Sequence, residues 1–390
     1  MVKVREIVSK AAMSDGGHII TGAGSIFMAP DPSIARLDLN ENLFGASPKT
    51  IQAIKDFTEN VGPQWYNAWM RKECEKAVAD YARVKPGNVF VGNGSAETLV
   101  LIADVFLEAG DELLSAYPTY RVLPNYANVH GAKIVEVLHE RDFRGDTLPE
   151  KMISKLNPNT KIVYLCNPTT FAARVPKEKI VKLLEATQKE SNPVVVIDEA
   201  YYDSATYPLS NITVTDLIDK YSNLIVVRTF SKSFALAGLR IGYAISGEPT
   251  VMQFNKLFSP LGVSSLAYVG AMAALRDLSY YEEVRRRIEE NKEFLSEEFV
   301  KLGIEVFPSY ANFMLARFPP GILNDNNGRK GVWTRLTERG LYLRNKSVMY
   351  PRTDICHDMV RITIPNRETC EKLVNELKQL MGELVTPRVK

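Results

Sequence analysis

Cysteine is scarce in this chain. Its 390 residues hold four, Cys74, Cys166, Cys356 and Cys370, with no CxxC pair and no zinc-ligand spacing. That excludes a disulfide scaffold and points to a reduced, cytoplasmic chain. Histidine is equally rare, and His18, His130, His139 and His357 form no ligand spacing, so no metal site is expected. Cys356 and His357 are merely sequential, which reads as loop and not as a nucleophile–base pair. No run approaches the roughly 18 apolar residues of a membrane span. The opening "MVKVREIVSKAAM" lacks the long apolar core and cleavage site of a signal peptide. Charge of one sign is missing too: 48 basic against 46 acidic residues leave +2, which gives no electrostatic case for nucleic acid or an anionic membrane as partner. The one basic run, "RRR" at 285–287, sits in "YYEEVRRRIEENKEF" and reads as a solvated helix face. There is no internal repeat and no low-complexity segment.

What is present is the composition of a globular enzyme, 45% hydrophobic and 24% charged. The length exceeds what one core usually supports, so a large domain and a smaller one are expected. From about residue 89 to 246, short apolar runs ("NVFVGN", "ELLSAYP", "KIVEV", "KIVYLCNP", "PVVVIDEAY", "NLIVVRTFS", "IGYAIS") alternate with amphipathic stretches such as "AETLVLIADVFLEAG". Continuous apolar strands separated by helices predict an α/β fold with a mostly parallel, seven-stranded sheet covered on both faces. The segment before "IGYAIS" is too short for a helical crossover, so that strand is expected antiparallel. After about residue 275, a long amphipathic helix, the runs "GIEVFPSYANFMLARF", "LYLR" and "MVRITIP", and a closing helix describe a small α+β domain. The expected organisation is an arm or lid over 1–45, with the glycine-rich "DGGHIITGAG", a large domain over 46–275 and a small domain over 276–390.

In open α/β sheets ligands sit beyond the carboxyl ends of the strands, and the polar residues cluster there. "VFVGNGSAETL" sets Gly92 and Gly94 between a strand and a helix amino terminus, where free N–H groups bind anions. It lacks the third glycine of a dinucleotide fingerprint, which argues against NAD. Asp198 ends an apolar strand, where a carboxylate is costly unless it meets a cation or several donors. Taken alone it is a helix cap, a buried ion pair or the counter-ion of a protonated ring nitrogen. Lys232, in "RTFSKSFALAGLRIGYA", taken alone is a solvated loop residue. Together the two end successive strands, which are neighbours in most such sheets, so both can face one ligand. A lysine nucleophile needs its pKa lowered, and partial burial with a nearby cation such as Arg240 does that. A lysine and an acid so arranged match the chemistry of a pyridoxal phosphate Schiff base.

"RTFSKSFALAGLRIGYA" resembles the lysine signature of the fold-type I, class I/II aminotransferases, in particular the histidinol-phosphate aminotransferase group. The similarity runs from "LDLNENLFGASP" (38–48) to "VRITIP" (360–365), in family order. It implies pyridoxal 5′-phosphate as cofactor, Lys232 as the Schiff-base lysine and Asp198 as partner of the pyridine nitrogen. Tyr201 and Asn167 would bond the ring's phenolic oxygen, and Tyr120 would stack on the ring. The Ser95–Ala96 amides, Ser231 and Arg240 would hold the phosphate. Tyr66 would reach the phosphate of the other subunit of a homodimer. Arg361 would grip the substrate α-carboxylate, as its bidentate fork suits, with Asn312 nearby, and Arg344 would hold a substrate phosphate. The family's "NNPTG" is here "CNPTT", with Cys166 and Thr170 in place of asparagine and glycine. A β-branched Thr170 cannot take positive φ cheaply, so this loop must be rebuilt, with Phe171 within reach of the substrate side. The expected activity is transfer of an amino group from a histidinol-phosphate-like or aromatic L-amino acid to a 2-oxo acid such as 2-oxoglutarate. The rivals are a decarboxylase or a dioxygen-using oxidase on the same fold, and a non-enzymatic binding protein. The last is disfavoured because it need not keep the nucleophile.

Overall fold

Residue 29 and residues 31–204, 212–326, 328–350 and 352–385 are described by a computed structural model. "DGGHIITGAG", His18 and most of the expected arm lie outside them. In chain order the strands are β1 (Ala35–Leu37), β2 (Val89–Gly92), β3 (Glu112–Tyr117), β4 (Lys133–Leu138), β5 (Thr160–Cys166), β6 (Val194–Asp198), β7 (Leu224–Thr229), β8 (Gly242–Ser246), β9 (Glu305–Phe307), β10 (Phe313–Arg317), β11 (Leu341–Asn345) and β12 (Met359–Thr363).

Each apolar run between residues 89 and 246 becomes a strand of one seven-stranded sheet, in the order β2-β8-β7-β6-β5-β3-β4. Every pair is parallel except those made by β8, which runs antiparallel to both β7 and β2. The runs are continuous because both faces are covered. Helices Ala68–Ala82, Lys177–Lys189 and Ser265–Leu275 pack on one face, and Ser95–Phe106, Val122–His130 and Glu248–Leu257 on the other. The carboxyl ends of β2, β3, β5, β6 and β7 therefore open at one edge, and the loops leaving them carry Ser95, Tyr120, Asn167, Tyr201 and Lys232.

A second sheet has the order β1-β11-β12-β10-β9. Its core joins Leu37 to helices Leu278–Lys301 and Arg367–Val385. Residues 35–37 were expected in an arm; they form β1 instead, parallel to Leu341–Leu343. A three-residue strand is too short to show periodicity, so only the pairing reveals it. The Leu278–Lys301 helix belongs to both cores, through Tyr281 in the first and Val284 in the second. A third apolar cluster spans the two sheets: Tyr117, Phe143 and Phe171 from the large-sheet side meet Phe307, Leu315, Tyr350, Cys356 and Met359.

The basic run at 285–287 is only partly a solvated face. Arg286 is exposed and pairs with Glu283 and Glu290, and exposed Arg287 covers the Phe44 ring, but Arg285 is buried. The helix turns one position in three or four toward its core whatever the charge there.

Candidate active site

The loop after β2 holds the first group. Gly94 has φ +87°, and a Cβ there would lie 2.6 Å from an Arg240 guanidinium nitrogen, so the guanidinium rests against bare backbone. Across the β2–β8 pair, Gly92 faces Gly242, and a Cβ on Gly242 would sit 2.5 Å from the Ser95 amide nitrogen. Small residues thus bring Arg240 and the start of the twelve-residue Ser95–Phe106 helix into one corner. Ser231 completes it: the Arg240 guanidinium lies 3.5 Å from the Ser231 hydroxyl, which accepts from Thr229 Oγ1 at 3.0 Å. Helix-end amides, a hydroxyl and a guanidinium make an anion cradle.

Asp198 ends β6, beside β7 in register with Val227. Its carboxylate is held by neutral donors. Tyr164 Oη donates to Oδ2 at 2.9 Å and the Ala200 amide to Oδ1 at 3.0 Å. Burial pushes its carboxyl up to about 6, against the pull of those two bonds. Behind it, Glu199 and Arg228 form a buried ion pair (2.8 Å), with Arg228 also bonded to Thr213 and stacked 3.7 Å over the Tyr202 ring. Glu199 therefore anchors the strand end, while Asp198 next to it faces the opening.

Lys232 follows β7. Its Nζ donates to the Leu39 carbonyl at 2.8 Å, and burial, followed by the charge of Arg361, lowers its pKa to about 8. Arg361 is thus the leading cation at the lysine; Arg240, expected in that role, contributes less. Arg361 lies opposite Arg344 in the β11–β12 register, two like charges side by side on one sheet face. Such a pair is destabilising in a sheet unless something else requires it. Arg361 donates to the Asp38 carbonyl at 2.8 Å, while its Nε is buried without a partner. Burial, with Arg361 beside it, pushes Arg344 down to about 10. Asn312 donates to the Asn40 carbonyl at 3.1 Å, leaving its buried Oδ1 unpartnered.

Residues 38–42 strap the two halves of this site together, and sequence reasoning missed their part. Asn40 donates through its amide to Tyr201 Oη (2.8 Å) and through its backbone to Thr363 Oγ1 (2.9 Å), with a left-handed φ of +56°. Asparagine tolerates that conformation better than most residues, which is the only local signal. Asn42 donates to the Ser233 carbonyl at 2.7 Å. Lys346 was also missed. It is fully buried, its Nζ has no acceptor among the described residues, and it lies against the rings of Phe171 (5.2 Å) and Tyr350 (4.9 Å).

The loop after β5 is rebuilt, as Thr170 requires, and Asn167 helps to order it. Its Nδ2 donates to the Val175 and Ile212 carbonyls and its Oδ1 accepts from the Val175 amide, so the side chain is occupied in ordering the loop. The positive φ expected to be displaced from Thr170 appears at Ala172 (+61°), and Thr170 Oγ1 donates to the Pro118 carbonyl at 3.3 Å. Phe171 does not face the opening: it is fully buried, 4.3 Å from Phe143 and 4.9 Å from His139 between ring centroids. Tyr120 is half-buried at the end of β3, beside the Asp198 end of the site. Tyr66 is 84% exposed, with Trp65 and Trp69 also exposed beside it.

A depressed lysine amine, a buried carboxylate, an anion cradle and a pair of facing arginines can together hold a doubly anionic ligand and form a bond to a carbonyl group. Known proteins resemble this chain over most of its length. The family model "Aminotransferase class I and II" matches residues 32–377. A histidinol-phosphate aminotransferase of a Thermoanaerobacter species is 32% identical over 348 residues, covering 89% of this chain and 93% of that protein. One from Brevibacillus brevis is 32% identical over 350 residues, 89% of this chain and 90% of that one. Among solved structures, histidinol-phosphate aminotransferase from Sinorhizobium meliloti in complex with pyridoxal-5′-phosphate superposes with a TM-score of 0.81 at 25% identity, covering 92% of this chain and 96% of that chain. A Thermus thermophilus aspartate aminotransferase, at 20% identity and a TM-score of 0.80, shares the fold. These relatives support amino transfer and not the decarboxylase or oxidase alternative. The chain belongs to the class I and II aminotransferases.

Proposed function

We propose that this protein is a pyridoxal 5′-phosphate-dependent aminotransferase that takes its amino group from a donor such as histidinol phosphate, an amino alcohol ester whose phosphate stands where an amino acid has its carboxylate, or from an aromatic L-amino acid, and passes it to a 2-oxo acid such as 2-oxoglutarate. The observation that carries this reading is the depressed Lys232 amine just after β7, the strand beside the one that the buried Asp198 ends, with the charge of Arg361 close to that amine.

The residues fit the cofactor. The corner where a Cβ on Gly94 or Gly242 would strike Arg240 or Ser95 suits a phosphate, and Asp198, given only neutral donors, suits a protonated ring nitrogen. Bound there, pyridoxal phosphate supplies an aldehyde that lysine and substrate amines attack, and a cationic ring that draws electrons from the substrate α-carbon. Every other part belongs to the chain. Ser95 and Ala96 through their amides, Ser231 through its hydroxyl and Arg240 through its guanidinium hold the phosphate. Asp198 keeps the ring nitrogen protonated, and the Tyr201 hydroxyl, fixed by Asn40, serves the ring oxygen. Asn167, which also orders its own loop, would share that ring oxygen. Tyr120 covers the ring. Lys232, whose pKa is lowered so that more of it is free amine than an ordinary lysine would be, is the nucleophile and then carries the proton to and from the substrate α-carbon. Arg361 orients the carboxylate of an amino acid or 2-oxo acid, and Arg344 beside it meets the phosphate of histidinol phosphate.

The reading includes a homodimer. Its support is the exposed apolar surface of Trp65, Tyr66 and Trp69, which a second copy would cover while Tyr66 reaches its phosphate corner. It also includes a division into a cofactor-binding domain over 46–275 and a small domain over 276–390, and a cytoplasmic location, supported by four buried free thiols.

The experiment is a panel of amino donors offered with 2-oxoglutarate to the cofactor-loaded protein, with glutamate, oxygen uptake and carbon dioxide measured together. Glutamate formation from histidinol phosphate, lost in Lys232→Ala, is expected. Oxygen uptake or carbon dioxide release without glutamate would overturn the transfer reading.

A further inference from the structure

Cys166, which departs from the family's asparagine, has no role in the site described so far. It stands beside Asp198 in the β5–β6 register. Two residues back on the same face is Tyr164, fully buried. The three make a chain of donors. The Cys166 thiol donates to Tyr164 Oη at 3.4 Å, and Tyr164 Oη donates to Asp198 Oδ2 at 2.9 Å. Thr119 Oγ1 lies 3.4 Å from the Cys166 sulfur and can begin the chain as donor. All four are buried, so water does not compete for these bonds.

We propose that Tyr164 is a positioning residue for Asp198: its phenol, polarised by Cys166 and Thr119, keeps the carboxylate ionised and turned to receive the N–H of a protonated pyridine ring. The proposal rests on the reading of Asp198 given above. A hydrogen-bond chain running one way strengthens its last member, and a donor to an anion in a dry site is worth more than one in water. Burial works against the charge, since desolvation is the largest influence on this carboxyl and Glu199 adds repulsion. Apart from the Ala200 amide, the phenol is the donor that opposes them. Tyr164 touches neither the opening nor Lys232, so it acts only through Asp198.

The test is binding to the full-length apoprotein, not turnover. The probes are pyridoxal phosphate and its analogue with carbon in place of the ring nitrogen, both of which keep the aldehyde and phosphate. The ratio of their dissociation constants reports the ring-nitrogen contact alone. In wild type the natural cofactor should bind more tightly. Tyr164→Phe should shrink that preference about ten- to a hundredfold, the range for a bond to a charged group. Cys166→Ala should shrink it less, in the same direction. In the loaded protein, the pH at which the visible absorption changes should move in Tyr164→Phe but not in a control on the exposed surface of the closing helix such as Lys372→Ala. Asp198→Asn separates the two levels of argument. If it leaves the ratio unchanged, the reading of Asp198 fails. If Asp198→Asn collapses the ratio while Tyr164→Phe keeps the wild-type value, the reading stands and this proposal is overturned. Should Tyr164→Phe fail to fold, an unchanged ratio in Cys166→Ala overturns it equally.

Discussion

Replacing Gly242 by alanine tests the anion cradle without touching any residue that would bond the phosphate. The new methyl would meet Ser95 N at 2.5 Å, Gly94 C at 2.8 Å and Arg228 O at 2.9 Å. All three are backbone atoms, so no side chain can swing aside. Ordinary contact begins at 3.4 Å, so the helix end must retreat by up to about 0.9 Å. Overpacking of this kind costs about 1–3 kcal/mol of stability. The same shift moves the Ser95 amide out of line with its ligand. Losing a bond to a charged group is worth about 1.5–3 kcal/mol, or roughly ten- to a hundredfold in cofactor affinity. The assay is a fluorescence titration of apoprotein with pyridoxal phosphate, beside a urea melt. Gly238→Ala, with nothing within 4 Å of its Cβ, is the neutral control. Wild-type affinity and an unchanged urea midpoint in Gly242→Ala would refute the claim that close backbone contact shapes the cradle.

Lys232 should react with pyridoxal phosphate at a rate that rises with pH and levels off above about 8, because burial and Arg361 lower its pKa and only the free amine attacks; stopped-flow absorbance of the apoprotein reads this, and a rate still climbing at pH 10 would contradict it. Arg361→Ala should weaken every donor that carries an α-carboxylate alike, whereas Arg344→Ala should cost at least about tenfold in kcat/KM for histidinol phosphate and almost nothing for amino acids with neutral side chains; steady-state kinetics on both classes separate the two. Glu199→Gln strands the buried Arg228 charge and should lower stability by about 3–5 kcal/mol in chemical denaturation; a loss below 1 kcal/mol would mean that Thr213 and Tyr202 suffice for Arg228.

Much of the sheet was legible because its strands are buried on both faces and therefore apolar throughout, as "LIVVRT" of β7 shows. The neighbourhood of Lys232 and Asp198 followed from chain order alone. Side-chain direction was not legible. Nothing local in "CNPTT" says whether the Asn167 amide turns to the opening or to Val175 and Ile212. Asn40 acquires its role from Tyr201 and Thr363, 161 and 323 residues away, and no pattern in "LDLNENLFG" encodes such pairings. Tyr164 sits in a run that reads simply as a buried strand, where phenol and phenyl are equivalent to a hydrophobicity pattern. Arg285 failed for the opposite reason: its charge drew it to the surface in the reading, while the helix period carried it inward.

The aromatic cluster around Phe171 gives the molecule a further property. Its side chains come from the end of β3 and the loops after β4 and β5 on one side, and from β9, β10, β12 and the segment after β11 on the other. Swinging the small sheet away as a rigid body would bare these rings to water, at about 25 cal/mol for each Å² exposed. Any such opening is therefore opposed by the burial of these rings, which ties the loop carrying Thr170 and Phe171 to the sheet carrying Arg344 and Arg361.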